Sequence, residues 1–163
     1  MNNKFIRWIF FYFFVLIILI FPLAPINFIP SIIPLPDLLL CFLYAYCIKN
    51  PKKNHYFLII FLSLLADFLW MRAPGLWSLL TLIFIQISSK IFFQKNARSI
   101  YFETILFLIT MSIMVFLQNI ILFLTISTLP TLQLSITYLL LTVVFYPLMS
   151  IFLKIFEIKK TII

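Results

Sequence analysis

Residues 35–48 read Leu-Pro-Asp-Leu-Leu-Leu-Cys-Phe-Leu-Tyr-Ala-Tyr-Cys-Ile, and Lys49-Asn50-Pro51 follows. This run decides the fold because it is apolar but short. A membrane-spanning helix needs about 20 apolar residues. The run reaches that length only by extending back to about Ile29, through Pro30, Pro34 and Pro36, with a distorted start. Pro36 and Asp37 suit a helix N-terminus: proline lacks the N–H that a first turn cannot use, and an acid complements the helix dipole.

Charge counting shows what depends on it. Lys4 and Arg7 precede the first apolar run, Lys49, Lys52 and Lys53 follow the second, Lys90, Lys95 and Arg98 follow the fourth, and Lys154, Lys159 and Lys160 close the chain. If residues 29–48 span, all of these lie on one side, and of the 12 basic residues only Arg72 lies on the other. Without that span the basic residues divide between the two sides. Basic residues stay cytoplasmic, so the expectation is six spans with both termini in the cytoplasm.

The remaining spans follow from apolar runs and punctuation. They are expected at about 5–23, 29–48, 56–71, 76–93, 101–126 and 134–156. Trp8 and Tyr12 near the start of the first run suit a membrane interface. No small-residue cleavage site follows that run, which separates it from a signal peptide. Residues 24–34 read as a proline-broken connection. Arg72-Ala73-Pro74-Gly75 reads as a tight turn, Pro130 marks another, and Pro147 is expected to kink the sixth helix.

Composition agrees with a lipid environment. The chain of 163 residues is 65% hydrophobic and 10% charged, against roughly a quarter charged in a soluble domain. Six spans use about 120 residues, which leaves one integral membrane domain over 1–163 and no room for a soluble one. The net charge of +8 is spread over short loops rather than gathered on one face, so it indicates orientation and not nucleic-acid binding. One glycine, Gly75, rules out GxxxG helix pairing.

Chemistry-bearing residues are few. Cys41 and Cys47 stand about 9 Å apart along a helix axis, too far for a disulfide, and read as small apolar core residues. With His55 as the lone histidine, no zinc spacing exists, and no metal or other cofactor is expected. His55 is expected at the cytoplasmic surface and Asp67 at the opposite one, so they assemble no reaction centre. No nucleotide motif is present either, and the chain does not read as an enzyme.

Charges within hydrocarbon are costly and mark sites by default. Asp37 and Asp67 both fall near the outer surface, and Arg72 is the basic residue there. Neighbouring helices bring the three together in either of two readings: a spot that binds a partner or small ligand, or a structural pair in which Asp67 meets Arg72 and pins the turn. Glu103 opens the fifth helix and reads as a dipole complement. Tyr138, Thr142, Tyr146 and Ser150 recur every four residues along one face of the sixth helix. Ser78, Thr81, Ser88 and Ser89 give the fourth a looser polar face, and Gln118 and Asn119 add polar groups to the fifth. Such faces turn inward, to hydrogen-bond other helices or to line a ligand pocket.

Two stretches resemble the rod shape-determining protein MreD family of bacteria. One is Leu35-Pro36-Asp37-Leu38-Leu39-Leu40 continuing to Lys49-Asn50-Pro51. The other is Phe61-Leu62-Ser63-Leu64-Leu65-Ala66-Asp67-Phe68 with Arg72-Ala73-Pro74-Gly75-Leu76-Trp77. Ser63 departs from the glycine of many members. The resemblance implies an all-α, polytopic six-helix bundle similar to the substrate-binding subunits of energy-coupling-factor transporters. It also implies a non-catalytic scaffold in the bacterial inner membrane that maintains cell shape. Its partners would be a single-span periplasmic protein of the MreC type and, in the same peptidoglycan-synthesising elongasome, MreB, RodA and the elongation transpeptidase. The other reading from the same fold is a small-molecule-binding subunit of a transporter.

Overall fold

A computed structural model describes residues 13–23, 34–49, 56–95, 99–126 and 131–161. Its regular elements among these residues are helices: α1 (Phe13–Leu23), α2 (Leu38–Lys49), α3 (Tyr56–Leu69), α4 (Leu76–Lys95), α5 (Ile100–Ile126) and α6 (Leu132–Thr161). The last turn of α1, Phe21–Leu23, is a 3-10 turn around Pro22. The segments 24–33 and 50–55, which contain the expected proline-broken connection and His55, lie outside the described residues.

α2 is the centre of the bundle. Leu39 through Ala45, Cys47 and Ile48 are all buried, as expected of a helix apolar all round. It packs against α6 and α4, while α3 packs on α4, and α5 on α4 and α6. α1 adds Val15, Ile18 and Leu19 to the same core, at a spacing that makes one helix face. Cys41 and Cys47 are free thiols in this core.

α2 is shorter than the expected second span. Residues 34–37 are not helical, because Pro34 and Pro36 restrict the residues before them and Asp37 takes the N-cap instead of a place in the first turn. The Asp37 Oδ1 accepts the Leu40 N–H at 2.9 Å. Twelve helical residues rise about 18 Å, well short of about 30 Å of hydrocarbon.

Two helices, α5 and α6, are long and apolar enough to cross a membrane, while α1 to α4 contain shorter apolar helices. α6 runs without interruption through Pro147. Their outward faces carry exposed Ile105, Ile109, Phe116, Leu124, Leu140 and Val144. Apolar surface so continuous is not typical of a water-soluble monomer.

The α3–α4 turn is built from two left-handed residues. α3 closes with a Schellman pattern, in which the Arg72 N–H donates to the Asp67 carbonyl at 3.0 Å and the Met71 N–H to Phe68 at 3.4 Å. Met71 takes the left-handed position at φ 51°, and Gly75 has φ 87° immediately before α4. Only glycine holds such an angle without strain.

Candidate functional site

The N-terminal end of α2 meets the α3–α4 turn and the face of α6 that carries Tyr138 and Thr142. Asp37 is buried there. Its Oδ2 accepts from Arg72 Nη1 at 3.0 Å, Trp77 Nε1 at 3.1 Å and the Tyr138 hydroxyl at 3.0 Å. With Leu40 N on Oδ1, four donors from three parts of the fold converge on one carboxylate, which has about four lone-pair positions. The Asp37 N–H in turn donates to Thr142 Oγ1 at 3.2 Å, and the Cys41 thiol donates to the Thr142 carbonyl at 3.3 Å. α2 is thereby fixed to α6 at two successive turns.

Arg72 is held in a second way. Its guanidinium lies 4.6 Å from the centre of the Trp70 ring and 5.3 Å from that of Trp77, the geometry of cation–π contact. The Trp70 indole donates to the Leu19 carbonyl at 3.1 Å, which ties the turn to α1. Burial acts to lower the Arg72 pKa, but the Asp37 carboxylate and the Tyr138 hydroxyl outweigh it and raise the value, so the guanidinium stays charged. A bond to a buried carboxylate and two indole faces suits arginine better than lysine.

The ion pair differs from the expected one. Arg72 pairs with Asp37, not with Asp67. Asp67 is buried in the same region and serves the backbone: its Oδ2 accepts the N–H of Gly75 at 3.1 Å and of Ser78 at 3.3 Å. An acid near the end of α3 therefore caps the start of α4, where free N–H groups favour a negative charge. Asp67 Oδ1 has no hydrogen-bond partner. Pro36 and Pro74 shape the site, and Gly75 also bonds to it: Pro36 precedes the N-cap, and the Pro74-Gly75 turn brings the Gly75 and Ser78 N–H groups to Asp67.

The sequence singled out Asp37, Asp67, Arg72 and the Tyr138–Thr142 face. It missed the roles of Trp70 and Trp77. A signal was available, since two tryptophans flank the single arginine of the turn. Other polar faces behave differently from expectation. Ser78, Thr81, Ser88 and Ser89 all donate to carbonyls of their own helix or its first turn, since a short hydroxyl reaches back three or four residues more easily than across to a neighbour. Asn119 does cross, donating to Ser135 of α6 at 3.3 Å.

A second polar cluster lies toward the C-terminal end of α2. Glu103, in the first turn of α5, is buried, and its Oε2 accepts the Ser150 hydroxyl at 2.9 Å. Lys49 Nζ donates to the Ser150 carbonyl. Tyr44 of α2 and Tyr146 of α6 pack edge-on, with ring centres 5.6 Å apart, around Phe107. Both phenol hydroxyls are buried without a hydrogen-bond partner.

In chemical terms the Asp37 site is a clamp. The carboxylate accepts four hydrogen bonds, three of them on Oδ2, so it orients helices and presents Arg72 at the bundle's end. Compared with protein families, with curated proteins and with solved structures, the chain gives no match.

Proposed function

We propose that the chain is a non-catalytic scaffold subunit of the bacterial cell-wall elongation complex, similar in role to MreD. In this reading it spans the inner membrane six times with both termini in the cytoplasm, and it associates with a single-span periplasmic partner of the MreC type. One observation carries the reading. The two stretches that resemble the family, 35–51 and 61–77, join in one hydrogen-bonded hub through the Asp37–Arg72 ion pair. Stretches of separate helices that share a resemblance and meet at one point are expected to serve one role there.

The charge bias supports the orientation, with Arg72 at the outer surface and the Lys49 end of α2 facing the cytoplasm. At the outer surface Arg72 is 28% exposed beside its buried carboxylate, and Met71, at 95% exposure, stands next to it. These are the groups a partner segment meets first. The space below is filled by Trp77 and Tyr138, each donating to Asp37, which favours a scaffold over a small-molecule carrier.

The test is co-purification of the single-span partner with Arg72→Ala and Arg72→Lys at matched membrane abundance. Partner recovery is expected to fall in both, more in Arg72→Ala. Full recovery in both variants at normal abundance overturns the hub's role in the scaffold. Loss of a bound small molecule with intact partner capture would favour the transporter subunit instead. Orientation has its own check: alkaline phosphatase fused after Ser127 is expected to be active and fused after Lys160 inactive.

A further inference from the structure

The helices of this bundle differ in length by more than a bilayer can ignore. α3 holds 14 residues and rises about 21 Å. Polar residues bound it in the sequence, with Lys52, Lys53 and His55 before it and Arg72 after it. Were every residue from Tyr56 to Met71 helical, the run would still reach only about 24 Å. The apolar stretch of α5, Ile100–Thr125, has 26 residues and rises about 39 Å. That of α6, Leu132–Lys154, has 23 residues and rises about 34 Å. Hydrocarbon is about 30 Å thick, so α5 and α6 exceed it and α3 falls short by about 6–9 Å. Tilting lets a long helix fit, but it only widens the shortfall of a short one.

α3 lies at the edge of the bundle, packed on α4. Ile59, Ser63, Ala66 and Asp67 form its buried face. Phe57, Phe61 and Phe68 are exposed on the opposite face. A span shorter than the bilayer is accommodated by reaching side chains, by association or by thinning of the lipid. Reaching fails at the outer end. Arg72 is bonded to the buried Asp37 at 3.0 Å and lies over the Trp70 and Trp77 rings, and Trp70 is tied to the Leu19 carbonyl. Neither side chain is free to stretch toward a more distant headgroup layer, so the layer must come to them. Tyr56 and Trp70, aromatic residues of the kind that settle at interfaces, mark the two ends about 21 Å apart. We propose that the α3 face binds a locally thinned bilayer, with about 21–24 Å of hydrocarbon, while the α5 face sits in lipid of ordinary thickness. The bundle thereby imposes a step in thickness on the membrane around it. This inference rests on the six-span reading and not on the scaffold role.

The test uses the full chain in vesicles of phosphatidylethanolamine and phosphatidylglycerol with chains of about 18 carbons. One introduced cysteine at a time is spin-labelled; Cys41 and Cys47 are buried and react slowly. Phe57→Cys and Phe68→Cys sample α3, and Ile109→Cys and Ile120→Cys sample α5, all at exposed positions where a smaller side chain leaves no cavity. The two pairs share one spacing, about 16 Å along the axis. Each label's depth below its nearer headgroup layer is read from collisions with oxygen against those with a water-soluble nickel chelate. The two depths of a pair are expected to total about 5–8 Å on α3 and about 14 Å on α5. A tilt of α5 by about 20° accounts for only about 1 Å of that difference. Equal totals for the two pairs would overturn the proposal. Labels on α3 that oxygen does not reach would also overturn it, in favour of a second copy or another helix covering this face. Four labels open to the chelate would instead overturn the six-span reading itself, a result distinct from equal depths within lipid.

Discussion

The two ends of α2 solve the same problem in opposite ways. Each must place a buried carboxylate among apolar helices. At the Asp37 end the carboxylate takes four donors, one of them a guanidinium held between two indoles. At the Lys49 end Glu103 takes the Ser150 hydroxyl, and two phenols nearby have no partner. A saturated carboxylate is a structural joint, because any change leaves something orphaned. At the other end Glu103 shares Ser150 with Lys49, whose ammonium donates to that residue's carbonyl. The Asp37 end therefore accounts for architecture and for what the bundle presents.

Replacing the carboxylates separates the two most sharply. Asp37→Ala strips Arg72 of its counter-ion, α2 of its cap, and Trp77 and Tyr138 of their acceptor. A loss of about 3–5 kcal/mol is expected, the range for breaking one partner of a buried pair. That is a large share of the roughly 5–15 kcal/mol that holds a typical domain folded, so membrane abundance should fall sharply. Glu103→Gln keeps an acceptor for the Ser150 hydroxyl, so a change within about 1 kcal/mol is expected. Comparable losses in the two variants, measured by thermal unfolding in one detergent, would break the contrast.

Smaller effects sharpen the Asp37 end itself. Asp67→Ala uncaps α4 and should cost about 1 kcal/mol, the usual loss for an N-cap. Gly75→Ala should cost a similar amount or slightly less. An added Cβ meets nothing within 4 Å there, but φ is 87°, so the penalty is backbone strain alone. A neutral Gly75→Ala would mean that the turn relaxes to another conformation.

Much of the Asp37 end was legible because charge is scarce in this chain. Asp37, Asp67 and Arg72 stand out against an apolar background, and intramembrane charge is expensive enough to mark a site. The four-residue spacing placed Tyr138 and Thr142 on one face. Which acid would pair with Arg72 was not legible: Asp67 is near in sequence, whereas Asp37 becomes the partner only when α2 packs against the turn. Glu103 read as a dipole complement, and it does sit in a first turn. Its bond to Ser150 spans 47 positions, and nothing local announces a contact of that separation. Tyr44 carried no signal in a helix apolar on every side. The helices themselves followed from the apolar runs. The start of α2 did not, because Pro34 and Pro36 ended the helix sooner than the length of a span required.

The joint at the Asp37 end can be tested by a double-mutant cycle with Asp37→Asn and Arg72→Gln, read by thermal unfolding, beside the matching cycle of Asp67→Asn with Arg72→Gln. For Asp37 and Arg72 a coupling of about 1–3 kcal/mol is expected, since each single change orphans the other group. For Asp67 and Arg72, whose side chains share no hydrogen bond, the two losses should add to within about 0.5 kcal/mol. Additive losses for Asp37 with Arg72, together with strong coupling of Asp67 to Arg72, would contradict the joint on which this account of the molecule rests.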